Sequence, residues 1–142
     1  MDEKNIAILI KVASTEFDKH ANRFLSKYGL TTSQYKIIKY ILDSPYGSVR
    51  QIDLENFFYM TNPTVTGIVQ NLVKKGYIEK IPNPEDGRSK VLIPSKKLLE
   101  MKSEILGDGK KMEENFTECF NESEKAELKK LLKKLLADKL EK

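Results

Sequence analysis

Residues 62–93 leave few choices of fold. Asn62-Pro63 is a strong helix start, with asparagine placed to cap and proline in a first turn that needs no N–H partner. Val65, Ile68, Val69, Leu72 and Val73 then recur with a 3.6-residue period, and Gly76 ends the helix. The period switches at once to two. Residues 77–81 alternate as a strand, residues 82–87 form a turn cluster built from proline, asparagine, aspartate and glycine, and residues 89–93 give a second strand. A single helix running into a polar-tipped hairpin cannot cover its own apolar stripe. The chain must bring further helices to the same core.

The flanking segments supply them. Residues 4–28 predict one long helix carrying Ile6, Leu9, Ile10, Phe17, Phe24 and Tyr28, stopped by Gly29. Thr31, Thr32 or Ser33 caps a second helix carrying Tyr35, Ile38, Ile41 and Leu42, which ends before the turn at residues 44–47. A short helix at 50–58 uses Ile52, Leu54 and Phe57 as anchors. Beyond the hairpin, Ser95 caps a helix with Leu98, Met101, Ile105, Met112 and Phe116. Gly107 and Gly109 are expected to bend or break it. A last helix from about Asn121 carries Leu128, Leu131, Leu132, Leu135, Leu136 and Leu140 on one stripe. The expected fold is mainly α with a small β-hairpin wing. A winged helix-turn-helix at 31–95 stands between an N-terminal helix at 1–30 and C-terminal helices at 96–142.

Charge is distributed in keeping with that division. Residues 32–97 hold ten Lys or Arg and six Asp or Glu, whereas the other residues hold fifteen of each, so all the net charge of +4 sits in the winged segment. A local basic surface is the electrostatic footprint of a nucleic-acid reader. Other classes are poorly served. A lone Cys119 excludes an intrachain disulfide or a cysteine zinc site, and a lone His20 leaves no histidine cluster for a metal. No glycine-rich phosphate loop and no nucleophile–base pair is present, so no catalytic residue and no cofactor is expected. No apolar run approaches the ~20 residues needed to span a bilayer, and the N-terminus lacks a secretory pattern, so a cytoplasmic location is expected.

With Val65, Ile68, Val69 and Leu72 turned to the core, the helix at 62–75 leaves Pro63, Thr64, Thr66, Gly67, Gln70, Asn71 and Lys74 facing outward. These short polar side chains let a backbone approach a major groove. Gln70 and Asn71 suit bidentate contact with adenine, while Thr64 and Thr66 suit phosphate or a thymine methyl. The hairpin tip carries Asp86 and Arg88. An arginine there suits a narrow minor groove, with Asp86 expected to hold the guanidinium by charge-assisted hydrogen bonds. The partner read from the residues is double-stranded DNA. A winged-helix protein–protein adaptor, docking through the leucine-rich last helix, is the alternative.

The run Asn62-Pro63-Thr64-Val65-Thr66-Gly67-Ile68-Val69-Gln70-Asn71-Leu72-Val73-Lys74-Lys75-Gly76, followed by Asn83-Pro84-Glu85-Asp86-Gly87-Arg88-Ser89-Lys90, resembles the MarR family of transcriptional regulators. The resemblance extends to the order of elements along nearly the whole chain. It implies a homodimer joined through residues 4–28 and 95–142, binding a pseudo-palindromic operator as a repressor or an activator and releasing it when a small molecule or oxidant acts. It further implies residues 62–74 in the major groove and Arg88 in the minor groove. Ser33, Lys36, Arg50 and Gln51 would touch phosphates, and Thr61 and Lys90 would join the same interface. Two departures stand out. Gly67 occupies a position where the family commonly has a longer polar or basic side chain, and Pro94-Ser95 replaces the usual Leu-Thr.

Four residues are candidates for sensing a small molecule. His20 lies on the apolar arc of the first helix, where it is expected to be buried and hydrogen-bonded or else to stand at the mouth of an effector cleft. Tyr28, Tyr35 and Tyr46 could line such a cleft as apolar walls with polar tips. Cys119 is flanked in sequence by Glu113, Glu114, Glu118 and Glu122, which disfavour a thiolate, so a redox role is not expected.

Overall fold

A computed structural model describes residues 5–140, apart from the side chain of Leu140. Six α-helices and one hairpin follow in the order α1 (Ile6–Leu25), a 3-10 turn (Ser26–Tyr28), α2 (Thr32–Asp43), α3 (Gln51–Phe58), α4 (Asn62–Lys74), β1 (Ile78–Pro82), β2 (Lys90–Pro94), α5 (Lys96–Phe116) and α6 (Glu122–Leu140).

The helix stops are chemical. At the end of α4 the Gly76 N–H donates to the Val73 carbonyl and the Tyr77 N–H to the Leu72 carbonyl, with Gly76 at φ 82°. This is a Schellman closure, which needs the left-handed conformation that glycine adopts without a Cβ penalty. It also occupies Tyr77, so the first strand begins at Ile78, one residue later than the alternation suggests. The same closure recurs at Gly29, after the 3-10 turn that ends the first helix at Leu25 instead of Tyr28.

The hairpin is antiparallel, pairing Ile78 with Pro94 and Pro82 with Lys90. Val49 extends it, accepting the Leu92 N–H at 2.8 Å. Leu25, Ile37, Ile38, Leu54, Val65, Leu72, Ile78, Leu92, Leu98 and Ile105 are all but fully buried. One core therefore joins the winged segment to the second half of α1 and the first half of α5.

Cross-links fix α5 against that core. Ser95 caps α5, accepting the Leu98 N–H while its hydroxyl donates to the Gly76 carbonyl at 2.7 Å. The Tyr77 hydroxyl donates to the Tyr28 carbonyl at 2.6 Å, and the Tyr28 hydroxyl donates to Asp108. The Lys27 ammonium reaches the same carboxylate at 2.8 Å. The Lys27 ammonium and then the Tyr28 hydroxyl hold the Asp108 carboxyl below the usual aspartate range.

α5 does not break at its glycines; it is continuous from Lys96 to Phe116. Gly109 is buried, and a Cβ built on it would lie 1.7 Å from the Tyr35 hydroxyl oxygen. The missing side chain is space that Tyr35 fills. Gly107 has no heavy atom within 4 Å of its Cβ position.

Two elements are left uncovered. Ile6, Leu9 and Ile10 of α1 are exposed, and Leu128, Leu131, Leu132, Leu135 and Leu136 of α6 are 38–52% exposed. Leu140, the last leucine of the expected stripe, has its side chain outside the described residues.

Two outcomes follow from this packing. Gly109→Ala will destabilise the protein by about 1–3 kcal/mol through overpacking against Tyr35, whereas Gly107→Ala will stabilise it by up to about 1 kcal/mol. Urea midpoints at fixed protein concentration measure both. The Asp108 carboxylate, with its lowered pKa, stabilises the fold above the usual carboxyl value of about 3.9, and that stabilisation is lost as pH falls through the lowered value. Melting curves should therefore place Asp108→Asn below the parent by about 1 kcal/mol at neutral pH, with the gap closing on acidification below about pH 4.

Candidate nucleic-acid interface

The reading helix is set by its own first turn. Thr61, not Asn62, is the cap: its hydroxyl oxygen accepts the Thr64 N–H, and its hydroxyl donates to the Thr64 hydroxyl at 2.9 Å. The helix begins one residue earlier than an asparagine cap would place it. Asn62 instead donates to Glu55 at 3.0 Å, tying the α4 start to α3. Pro63 sits in the first turn as expected.

Val65, Val69 and Leu72 are buried and Ile68 is half-buried. Pro63, Thr64, Gln70, Asn71 and Lys74 are exposed, with Thr66 and Gly67 half-buried beside them. The outward arc read from the sequence is thus the arc that faces solvent. Nothing lies within 4 Å of a Cβ on Gly67, so this glycine leaves a low, open patch in mid-helix. Gln51 donates its side-chain amide to the Thr66 hydroxyl oxygen at 2.7 Å. Thr66 accepts in that bond, which leaves its own proton for an outside acceptor.

Arg50 is locked at the start of α3. Its backbone N–H donates to Asp53 at 2.8 Å, and its guanidinium donates to both oxygens of the same carboxylate at 3.1 and 3.4 Å. Burial works to raise the Asp53 pKa, but the Arg50 N–H and guanidinium outweigh it and the net shift is downward. Asp53 was not foreseen from the sequence. An acid three residues after the cap is the signal that marks it.

The wing tip is built from backbone turns. Asn83 accepts the Glu85 N–H and Asp86 accepts the Arg88 N–H, each at 3.0 Å. Asp86 does not grip the guanidinium by hydrogen bonds as expected. Its hydrogen bond goes to the Arg88 backbone, and the Arg88 Nε stands 3.8 Å away. The reason is geometric: an aspartate two residues back is placed to close an Asx turn. The Arg88 side chain is left 98% exposed. Lys90 is exposed at the base of the hairpin, paired across from Pro82.

Not every expected residue joins this face. Ser33 is half-buried in the first turn of α2, and its neighbour Gln34 bonds Lys75 at the far end of α4. Lys36, one turn on, lines two cavities against α5 and α3. The four sensing candidates do not converge either. Tyr28 is spent on Asp108, Tyr35 forms a wall shared by those two cavities, and Tyr46 is exposed in a groove between the α2–α3 turn and the wing, beside Arg50. His20 lies between Phe24 and Phe116 at centroid distances of 5.4 and 5.6 Å. Its Nε2 is buried without a hydrogen-bond partner, against the expectation of a bonded histidine, because aromatic rings flank it. Cys119 is exposed.

Among the described residues no group of three or more His, Cys, Asp or Glu could hold a metal ion, and no helix is long and apolar enough to cross a membrane.

Comparison with known proteins adds to this geometry. The model of the MarR family matches residues 28–89. The multiple antibiotic resistance protein MarR of Escherichia coli is 26% identical over 131 residues, covering 90% of this chain and 88% of that protein. The HTH-type transcriptional regulator BilQ of Clostridioides difficile is 29% identical over 141 residues, covering 93% and 91%. The crystal structure of S. aureus MepR in complex with DNA superposes with a TM-score of 0.85 at 22% identity, covering 96% of this chain and 99% of that one. A family match across the winged core, relatives aligned along most of the chain and a shared fold make the chain similar to the MarR family of winged helix-turn-helix proteins.

Proposed function

We propose that the protein is a dimeric transcriptional regulator that binds double-stranded DNA, acts as a repressor in the cytoplasm and releases a pseudo-palindromic operator when a small molecule binds. The observation that carries this reading is the solvent-facing pairing of an α4 arc of short polar side chains with a wing arginine that is 98% exposed. A guanidinium free of a tight carboxylate partner is available to the negative potential of a minor groove. Thr64, Thr66, Gln70 and Asn71 supply the donors and acceptors for base edges or phosphates, and Lys74 and Lys90 the positive charge. The function is binding, with no catalytic step.

The uncovered apolar faces of α1 and α6 support a two-fold dimer. Five half-exposed leucines on one helix, with an exposed isoleucine-rich segment on another, call for a partner surface. An isologous dimer through these helices sets two reading heads about one DNA turn, roughly 34 Å, apart. The effector fits the cleft of about 360 Å³ between α1, α2 and α5, whose walls include Phe17, Tyr35, Leu106 and Met112. The Thr32 hydroxyl in this cleft is buried and unpartnered, a polar handle beside the apolar walls, with Lys36, Lys39, Lys110 and Glu113 also lining the space.

Two outcomes test this reading. On an operator selected by the purified protein from random duplexes, Arg88→Ala will lose about 1–3 kcal/mol of affinity with unchanged helical circular dichroism, and Lys74→Ala will lower the slope of log affinity on log salt by about one. Equal affinity for Arg88→Ala would remove the wing from the interface. Leu132→Asp will sediment as a monomer. A dimer that persists would exclude α6 from the joint.

A further inference from the structure

A second cavity adjoins the α1–α2–α5 cleft, sharing Tyr35, Lys36 and Lys39 with it but adding Tyr40, Phe57 and Phe58. It holds about 400 Å³ and opens between α2 and α3. Its aromatic wall is Tyr40, Phe57 and Phe58, with ring centroids 4.9–5.9 Å apart and steeply inclined planes. The three rings brace one another, so the wall is preformed. Its rim is cationic. Lys39 is neutralised by Asp43 at 2.7 Å, whereas Lys36 forms no ion pair with a described residue. An apolar wall beside one uncompensated ammonium complements a flat apolar body that carries a single carboxylate or sulfonate.

The position of the wall gives an occupant something to act on. Phe57 and Phe58 are the last residues of α3. Tyr59 follows at φ 54°, the one non-glycine with positive φ among the described residues. Such a conformation persists only where its surroundings enforce it. Thr61, two residues on, caps α4. Contact with the two phenylalanines is therefore transmitted along a short strained link to the first turn of the reading helix.

We infer that the cavity between α2 and α3 is a second regulatory site, for an amphipathic organic anion, whose occupancy displaces the α3–α4 link and the first turn of α4. Its regulatory half rests on the DNA-binding reading; its binding half does not.

The test is a titration of the full chain with naphthalene-1-sulfonate, followed by amide chemical shifts. Saturable shifts are expected at Tyr40, Asp43, Ser44 and residues 57–61. Phe57→Ala, at a side chain exposed enough to leave the fold intact, should weaken binding roughly tenfold. Lys36→Gln should weaken it as well, and Leu106→Ala, which lines only the other cleft, should leave it unchanged. Shifts confined to Phe17, Leu106 and Met112, an unaltered affinity in Phe57→Ala, or no saturable shift would each overturn the site. The same probe added to the protein–DNA complex should lower DNA affinity in the parent and not in Phe57→Ala. Binding without release would overturn the regulatory half. A chain that never binds DNA would sink the regulator reading while leaving the shift result standing.

Discussion

The contact of Tyr35 with Gly109 is the constraint through which the two ends of the molecule are coupled. α5 starts in the winged core, where Leu98 and Ile105 are fully buried, and runs outward toward α6. Tyr35 meets it between the buried Ile105 and Met112, with its ring end occupying the space of an absent side chain. Close-packed contacts of this kind have few alternative arrangements, so a change on one side moves the other. Tyr35 also forms the wall shared by the two cavities on either side of α2. Anything that fills either cavity lies against a side chain that is packed between α2 and α5.

The two arginines of the winged segment show how its electrostatics divide. Arg50 is tied to Asp53 by its backbone and its guanidinium, and serves to fix the start of α3. Arg88 is hydrogen-bonded to Asp86 through its backbone N–H, while its guanidinium, in solvent, meets that carboxylate only in a long 3.8 Å ion pair. One is committed to structure; the other is held out on a shaped turn. The Asp86 carboxylate shapes that turn without neutralising the charge at close range. Gln51 and Thr66 follow the same logic, since their mutual bond locks α3 to α4 and still leaves a donor at the surface.

The elements were legible wherever a local rule governs them. Gly76 and Gly29 end helices because a left-handed closing residue is a local demand, and the chain supplies glycine at each. The hairpin was legible from alternation and turn chemistry, and the outward arc of α4 from its period. What escaped was decided by contacts between segments distant in sequence. Gly109 looks like a weak point in a helix until Tyr35, 74 positions earlier, is found lying on it. Ser33 and Lys36 look like phosphate contacts at a helix start, but that start abuts the far end of α4. Tyr46 resembles the other tyrosines in type alone, for its turn carries it to the wing. The choice of Thr61 over Asn62 as cap turned on a third party, since Glu55 takes the asparagine amide.

The uncovered helices determine what the stable unit is. A face of half-exposed leucines along α6, with Ile6, Leu9 and Ile10 equally open on α1, leaves apolar area in water that association would remove at about 25 cal/mol per Å². Association of identical chains makes stability depend on protomer concentration. It also closes a loop of consequences inside each protomer. The uncovered faces lie on the first half of α1 and on α6, which follows α5, and α1 and α5 supply Phe17, Leu106 and Met112 to the cleft. In the proposed dimer, pairing would hold one wall of that cleft from outside, while Tyr35 lines the other from α2. A ligand wedging those walls apart would have to work against both, because close-packed contacts have few alternative arrangements.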